Sequence, residues 1–113
     1  MKKLLAGALI ALLGLNASAV TVMGFVSCGT WVDYKEKNNK VGIIAAERWL
    51  TGYLSGFSVA QDIDVLVDAD LKSLSLWMDN YCRANPLDSI SDGGLALFLE
   101  LAKKKGPTKP QKP

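Results

Sequence analysis

Two cysteines place the strongest constraint on how this chain of 113 residues folds. They are Cys28 and Cys82, and the sequence contains no other cysteine. In an exported protein, a lone pair of cysteines most simply forms one disulfide. The closed loop would span about 55 residues, and chain-entropy arguments give on the order of 4 kcal/mol of stabilisation for a loop of that length. Since a folded domain is stable by only about 5–15 kcal/mol, this bond is large enough to decide whether the domain folds.

The amino-terminal segment predicts export. Two lysines follow the initiator methionine, residues 4–15 form an apolar run, and Ala17-Ser18-Ala19 has the small-x-small pattern of a cleavage site. We therefore predict a signal peptide over residues 1–19 and a mature protein in the periplasm. An uncleaved anchor would need a longer apolar run, so no stable membrane insertion is expected after cleavage. A further alternative is lipoprotein processing at Cys28, which would leave Cys82 as a lone thiol.

The charge distribution argues against nucleic acid as a partner. Removal of Lys2 and Lys3 with the signal peptide leaves eleven Lys and Arg against eleven Asp and Glu. Five of those lysines lie between Lys103 and Lys112, so the body of the domain is acidic and binds nucleic acid poorly. The sequence has no histidine, which excludes Ser-His-Asp and Cys-His catalysis, His-ligated zinc and the usual pH switch.

Apolar periodicity predicts an all-α fold, a small four-helix domain stapled by one disulfide. We expect this domain to span residues 20–105, followed by a disordered basic tail at residues 106–113. The expected helices begin at a Ser27 cap, near residue 42, at residue 71 behind an Asp70 cap, and near residue 86. The second of them is expected to end near residue 57, and the last near residue 104.

The connections between these helices are predicted from polar and helix-breaking residues. Residues 35–40 are polar and asparagine-rich and are expected to form a loop. Asn85-Pro86 is expected to end the third helix and to open the fourth, with Asn85 as its amino-terminal cap. Gly93-Gly94 weakens the last helix, and the pair predicts either a kink or a close crossing with another element.

A second pair of glycines marks a stripe on the second helix. Gly52 and Gly56 are four residues apart, and Trp49 and Tyr53 lie beside them. Each glycine costs about 1 kcal/mol in a helix interior, which indicates close approach of another element. The stripe is either a shallow groove that receives a partner protein, or a packing face for the Leu71 helix. The packing interpretation is the favoured one.

The segment from Asp62 to Asp70 carries four aspartates and no basic residue. A calcium loop needs acidic or amide ligands at alternate positions and then a glycine. Leu66 interrupts that pattern and no glycine follows it. We therefore favour a solvated acidic loop with Ile63, Val65 and Val67 turned inward, and we predict no metal or cofactor.

The sequence offers little support for an enzyme. Residues 52–56 read G-x-x-S-G, whereas a nucleophile elbow reads G-x-S-x-G. Glu47 and Asp79 are candidate carboxylates for glycoside hydrolysis, but nothing in the sequence brings them together. No glycine-rich phosphate loop, CxxC motif or nucleotide fingerprint is present. We therefore expect a protein that is not an enzyme.

The mature chain resembles the small exported helical proteins of the HdeA type. Ser27-Cys28 with Trp31, the segment Cys82-Arg83-Ala84-Asn85-Pro86, and the lysine-rich end carry this resemblance. HdeA-type proteins are periplasmic acid-stress chaperones in which a single disulfide joins two helices. The resemblance implies the same compartment, the same disulfide arrangement and binding of unfolded client proteins.

A second resemblance is to the Tai-type immunity proteins, which protect bacteria from amidase toxins delivered by type VI secretion. It is carried by Trp49-Leu50-Thr51-Gly52-Tyr53-Leu54-Ser55-Gly56, and by Trp77 and Tyr81 ahead of Pro86. The acidic segment 62–70 matches neither family. The second cysteine pair that many immunity proteins carry near the carboxyl terminus is missing here.

These observations favour a non-enzymatic periplasmic protein that binds other proteins. The leading expectation is an HdeA-like acid-stress chaperone with unfolded clients. The alternatives are an immunity protein that inhibits a type VI amidase effector, and a small hydrolase or structural protein of the cell envelope. Trp49, Gly52, Tyr53 and Gly56 are the candidate protein-binding residues. The oligomeric state and the identity of the partner are not predicted.

Overall fold

The computed structural model describes residues 20–105, which contain four α-helices. The helices are α1 (Cys28–Glu36), α2 (Lys40–Gln61), α3 (Leu71–Ala84) and α4 (Ile90–Lys105). A disulfide between Cys28 and Cys82 joins the start of α1 to the last turn of α3. The predicted all-α, four-helix domain with one disulfide is therefore confirmed. The predicted signal peptide (residues 1–19) and basic tail (residues 106–113) lie outside the described residues.

Polar side chains fix where the first three helices begin. Ser27, Asn39 and Asp70 each accept a hydrogen bond from a backbone N–H of the first turn, at distances of 3.1, 3.1 and 2.9 Å. The predicted caps Ser27 and Asp70 are confirmed. The Asn39 cap shortens the expected loop at residues 35–40, because α1 continues to Glu36 and α2 already begins at Lys40. The pKa of the Asp70 carboxyl is lowered, chiefly by the hydrogen bond from the Ser73 hydroxyl and then by the bond from the Ser73 backbone N–H.

The start of α4 corrects the sequence prediction. Asn85 is the carboxyl-terminal cap of α3, since both its backbone N–H and its side-chain amide bond to the Tyr81 carbonyl. The fourth helix begins at Ile90, behind a reciprocal cap between Ser89 and Asp92. The Ser89 backbone N–H donates to the Asp92 carboxylate, and the Asp92 N–H donates to the Ser89 hydroxyl. This pair forms the stronger helix start, so residues 86–89 become a turn.

The four helices surround one core, and α3 packs on α4 as extensively as on α1. We describe their contacts as two pairs, α1–α3 and α2–α4. The first pair, α1–α3, is closed by the disulfide and by a hydrogen bond of 2.6 Å from the Trp31 indole to Asp79. The second pair, α2–α4, is closed by apolar and aromatic contacts. The buried apolar residues are Cys28, Trp31, Ala46, Leu50, Leu54, Val65, Leu74, Met78, Cys82, Ile90, Leu97 and Phe98. Within residues 20–105, none of the helices combines the length and the apolar character that crossing a bilayer requires.

The glycine pair in α4 is a close crossing point. A Cβ on Gly93 would lie 2.6 Å from the Met78 sulfur, and a Cβ on Gly94 would lie 2.8 Å from the Tyr53 ring. Both distances are shorter than van der Waals contact, so α4 reaches α2 and α3 only because these two positions lack side chains. Of the two predicted explanations for Gly93-Gly94, the crossing is the correct one.

The acidic segment between α2 and α3 is a loop anchored by apolar residues. Val65 is buried, and Ile63 and Leu66 are half-buried against the core. Val67, which was expected to turn inward, is 60% exposed, and Leu66 takes the inward position instead. The reason is that residues 65–68 form a turn, which breaks the alternation expected of an extended segment. The Lys105 ammonium donates a hydrogen bond to the Asp64 carbonyl and ties the loop to α4.

Candidate protein-interaction surface

Helix α2 presents an aromatic side chain at every fourth position from Trp49 to Phe57. Residues spaced by four lie on the same face of a helix, so Trp49, Tyr53 and Phe57 stand in line. The Trp49 and Tyr53 rings stack with their centroids 4.7 Å apart, and Phe57 meets Tyr53 edge-on at 4.8 Å. Such pairs add about 0.5–1.5 kcal/mol beyond the burial of their area. The line of rings is therefore rigid and preformed.

Two further rings extend this line beyond α2. Phe25, ahead of α1, meets Trp49 edge-on at 6.3 Å, and Phe98 of α4 stacks on Phe57 at 5.1 Å. We call the five rings Phe25, Trp49, Tyr53, Phe57 and Phe98 the aromatic row. Phe98 is buried, the three rings of α2 are half-buried, and Phe25 is 42% exposed. The row therefore begins in the core and ends at the surface.

The flank of the aromatic row is open at both predicted glycines. Gly52 and Gly56 are exposed, and a Cβ built at either position meets no heavy atom within 4 Å. The favoured interpretation, that this stripe packs against the Leu71 helix, is therefore wrong. The close approach in this fold occurs at Gly93 and Gly94 instead. The structure brings the candidate residues Trp49, Gly52, Tyr53 and Gly56 together on one accessible face of α2.

Other apolar side chains are exposed on the same helix and on its neighbour. Val41 and Val59 of α2 are 80% and 84% exposed, and they share the helix face that carries Gly52. On α4, Leu95 and Leu99 each follow directly after a residue that contacts α2, and they are 42% and 58% exposed. These exposed apolar side chains lie on the two helices that carry the aromatic row.

The aromatic row carries no charge at neutral pH. Burial raises the pKa of the Tyr53 hydroxyl above its ordinary value, and the nearby negative charge of Asp92 raises it further. The hydroxyl therefore stays protonated and neutral. An uncharged partner surface suits this row better than a charged one, because a charged group would lose its hydration without gaining a counter-charge.

A polar cluster joins α1, α2 and α3 on the other side of the core. We call Trp31, Lys35, Glu47, Ser75 and Asp79 the Lys35 cluster. The Lys35 ammonium lies 3.3 Å from the Glu47 carboxylate, 2.5 Å from the Ser75 hydroxyl and 3.8 Å from Asp79. It also lies 5.2 Å from the centre of the Trp31 ring, within the range of a cation–π contact. The Lys35, Glu47 and Asp79 side chains are 22%, 15% and 24% exposed, so water screens these charges only in part.

The cluster brings together the two carboxylates that were candidates for glycoside hydrolysis. Glu47 accepts hydrogen bonds from Ser75 and Lys35, and Asp79 accepts one from the Trp31 indole. Both oxygens are thus held by side chains of the core and share one ammonium. This geometry suits an ion-pair cluster that joins three helices. The G-x-x-S-G segment lies inside α2, where the Ser55 hydroxyl donates to the Thr51 carbonyl at 2.7 Å.

Two more carboxylates accept hydrogen bonds from side chains of α3. Glu100 lies on α4, and Asp88 lies in the turn that precedes α4. The Trp77 indole donates to Glu100 at 2.7 Å, and the Tyr81 hydroxyl donates to Asp88 at 2.5 Å. The hydrogen bond to Asp88, with smaller contributions from burial and from the charges of Asp88 and Asp92, raises the pKa of Tyr81 to about 12. Within residues 20–105, no group of three or more His, Cys, Asp or Glu side chains could hold a metal ion.

The sequence predicts Trp49 and Tyr53 of the aromatic row but not Phe25 and Phe98 at its two ends. Trp49 and Tyr53 were identified because they flank the glycine stripe. The spacing of Phe57 from Tyr53 carries the same signal. Phe25 and Phe98 join the row only through tertiary packing, which no local pattern shows. The polar composition of residues 35–40 predicts that Lys35 lies in a loop. The structure places it in α1, four residues after Trp31, so that both side chains lie on one face of the helix.

Comparison of the chain with protein-family models, with curated proteins and with solved structures yields no match. The resemblance to HdeA-type and Tai-type proteins therefore stays an expectation carried by the residues quoted for it.

Proposed function

We propose that this chain is a non-enzymatic, protein-binding protein of the periplasm that acts as an acid-stress chaperone. The observation that carries the proposal is the chemistry joining the two helix pairs. The α1–α3 pair is closed by a covalent bond, and the α2–α4 pair by apolar contacts. Between the pairs, side-chain hydrogen bonds end on the carboxylates of Glu47 and Glu100, and Gly93 of α4 lies against Met78 and Tyr81 of α3.

Acid weakens the polar contacts between the pairs, and within the α1–α3 pair it weakens the hydrogen bond from Trp31 to Asp79. Protonated carboxyl groups no longer attract the Lys35 ammonium. A half-buried cation without a counter-ion opposes the closed arrangement. The hydrogen bonds from Trp77 and Tyr81 also become neutral ones, which are roughly half as strong as those to a carboxylate. The disulfide and the aromatic contacts do not titrate, so the pairs separate while each pair persists.

The charge of the whole chain acts in the same direction. Near pH 2 the carboxylates are neutral, and the eleven Lys and Arg that remain after signal-peptide removal repel one another. The cap on α3 weakens as well. Because the pKa of Asp70 is lowered in the folded state, its stabilisation is present above the unfolded pKa and is lost as the pH falls through the folded one.

Separation of the pairs would expose the apolar core to client proteins. Leu50 and Leu54 of α2 and Met78 of α3 are fully buried in the closed form, and Leu97 of α4 is 2% exposed. These side chains would offer apolar surface to unfolded segments of clients. The exposed lysines at the end of α4, residues 103–105, would keep the complexes charged and soluble.

The test is aggregation of an acid-sensitive client enzyme, followed by light scattering at pH 2 and at pH 7. We expect suppression of scattering at pH 2 at an equimolar ratio, and none when the same client is heated at pH 7. Lysozyme, a compact basic protein of similar size, serves as the control for non-specific charge effects. Scattering at pH 2 that matches the lysozyme control would contradict the chaperone proposal.

The aromatic row supports a second candidate function, inhibition of one amidase toxin by an immunity protein. The row and its open glycine flank are accessible in the closed form, before any acid opening. A toxin that inserts apolar side chains beside Trp49 and Tyr53 would be bound at neutral pH. Co-expression with a periplasmic type VI amidase tests this candidate. It predicts survival of the host with the wild-type chain and lysis with Trp49→Ala, whereas lysis with both would remove it.

A further inference from the structure

The segment ahead of α1 lies against one end of the aromatic row. We call residues 20–25 the strap. We call residues 26–28, which follow the strap, its root. The root is fixed by two backbone hydrogen bonds, from the Ile90 N–H to the Val26 carbonyl at 3.0 Å and from the Cys28 N–H to the Asp88 carbonyl at 2.9 Å. These two bonds form a single antiparallel bridge between Ser27 and Ser89. The strap therefore leaves the disulfide end of the molecule in a defined direction, across α2.

Three consecutive strap residues contact Trp49, each through a different chemical group. The Trp49 indole N–H donates to the Met23 carbonyl at 2.9 Å. Gly24, at φ +82°, lies against the indole, where a Cβ would come within 3.1 Å of Nε1. The Phe25 ring meets the indole edge-on. The strap thus contacts the aromatic row as a bound peptide would, through a carbonyl, a residue without a side chain and an aromatic ring.

The strap is held weakly in comparison with its root. Val20 is 79% exposed and Met23 is 80% exposed, so these apolar side chains gain little from burial. In the described part of the chain, the backbone–backbone hydrogen bonds reach Val26 but no residue of the strap. One indole hydrogen bond and one edge-on ring contact are of the same order as the entropy lost when one or two residues become ordered. A competing peptide with the same three groups can therefore replace the strap.

We infer that the Trp49 end of the aromatic row binds an extended apolar segment of an unfolded protein, and that the strap occupies this site until such a segment displaces it. The inference rests on the proposed function, in that the chain binds other proteins. Tyr53 and Phe57 continue the row beyond the strap, and the open flank at Gly52 and Gly56 leaves room for further apolar residues. Extended segments that carry aromatic side chains are buried in folded proteins, so unfolded proteins are the source that offers them.

The test uses Gly24→Ala, which releases the strap and leaves the sequence of the row residues in α2 and α4 unchanged. An alanine at φ +82° and within 3.1 Å of the indole is strained, so the strap lifts off Trp49. The probe is a fluorescein-labelled peptide VTVMGFV, which is the strap followed by Val26, titrated with the mature chain at pH 7 and followed by anisotropy. Because an occupied site binds an added ligand more weakly in proportion to its occupancy, we expect Gly24→Ala to bind about two- to tenfold more tightly than wild type.

Three variants make the result specific. Gly29→Ala is the matched control, since its Cβ would make only an ordinary contact of 3.7 Å, and it should bind like wild type. Trp49→Ala and the double variant with Gly24→Ala should bind at least about tenfold more weakly than Gly24→Ala, because the indole is the shared ligand. Circular dichroism and the intact disulfide confirm that each variant is folded. Equal affinity of wild type, Gly24→Ala and the double variant would overturn the inference.

Competition identifies the source of the bound segment. Reduced and carboxymethylated lactalbumin, which stays unfolded, should displace the peptide from Gly24→Ala, and native lactalbumin should not. Displacement by neither protein, or by both equally, would overturn the inference, and so would a Gly24→Ala chain that binds its own copies instead. Failure of the acid aggregation assay with peptide binding intact removes only the chaperone proposal. Suppressed aggregation with equal peptide affinities removes only the inference about the strap.

Discussion

Lys35 makes polar contacts with side chains of two other helices. Its ammonium is held by Glu47, Ser75 and Asp79, which come from two other helices. We expect Lys35→Met to lower the free energy of unfolding at pH 7 by about 1–3 kcal/mol, because two partly buried carboxylates lose their counter-charge. At pH 3 the loss should shrink or change sign, since acid removes the negative charge of carboxylates and the variant has no ammonium left without a counter-charge. Urea unfolding at both pH values, followed by far-ultraviolet circular dichroism, measures the difference.

Lys37→Met is the matched control for this prediction. Lys37 pairs with Asp33 on the surface of α1, with the two side chains 72% and 50% exposed. Exposed pairs of this spacing contribute about 0.3–0.5 kcal/mol, so the control should be nearly neutral at both pH values. A loss for Lys35→Met that is equal at pH 7 and pH 3 would show that its charge does not make the contact between the pairs sensitive to acid.

Tyr81 is expected to make the stability of the fold depend on pH in the alkaline range. Its pKa is raised to about 12, chiefly by the hydrogen bond to Asp88. A raised pKa means that the stabilisation is fully present below the ordinary tyrosine value near 10 and is lost as the pH rises through 12. Tyr81→Phe should therefore destabilise the fold by about 1–2 kcal/mol at pH 7, and by less at pH 11. Urea midpoints at the two pH values test this, with Tyr34→Phe as control, and an unchanged difference at pH 11 would contradict it.

At the scale of the helices, the two glycine pairs have opposite roles. A side chain on Gly94 would collide with Tyr53, whereas one on Gly52 would meet open space. We expect Gly94→Ala to lower the free energy of unfolding by about 1–3 kcal/mol. Gly52→Ala should raise it by up to about 1 kcal/mol, because alanine favours the helix and nothing obstructs it. Thermal unfolding of both variants measures the contrast, and a destabilised Gly52→Ala would mean that another element covers the stripe.

Helical periodicity predicted the four helices because an apolar face repeats in each of them. It could not say which glycines touch a neighbour, since Gly52 and Gly94 have equally apolar surroundings in the sequence. The start of α4 was missed for a different reason. Asn85-Pro86 and Ser89 with Asp92 are both helix-start signals, and only the completed fold shows that Asn85 bonds back to Tyr81. Asn85 therefore caps the end of α3, and the reciprocal Ser89–Asp92 bonds start α4.

At the scale of the whole molecule, the disulfide was predictable and the pairing of helices was not. The prediction needed only two cysteines and an export signal, and the structure confirms the bond between Cys28 and Cys82. Which helices pair depends on contacts such as Gly94 with Tyr53 and Phe57 with Phe98, which are distant in the sequence. The proposed function rests on that pairing, because one pair is covalent and side-chain hydrogen bonds between the pairs end on the carboxylates of Glu47 and Glu100.

Circular dichroism between pH 7 and pH 2 tests the opening of the pairs most directly. The near-ultraviolet signal reports the packing of Trp31, Trp49 and Trp77, and the far-ultraviolet signal reports helix content. If acid separates the pairs and leaves each pair intact, the near-ultraviolet signal at pH 2 should fall below its value at pH 7, because Trp77 loses its contact with α4, while most of the helical signal remains. A near-ultraviolet spectrum at pH 2 that equals the one at pH 7 would contradict the account.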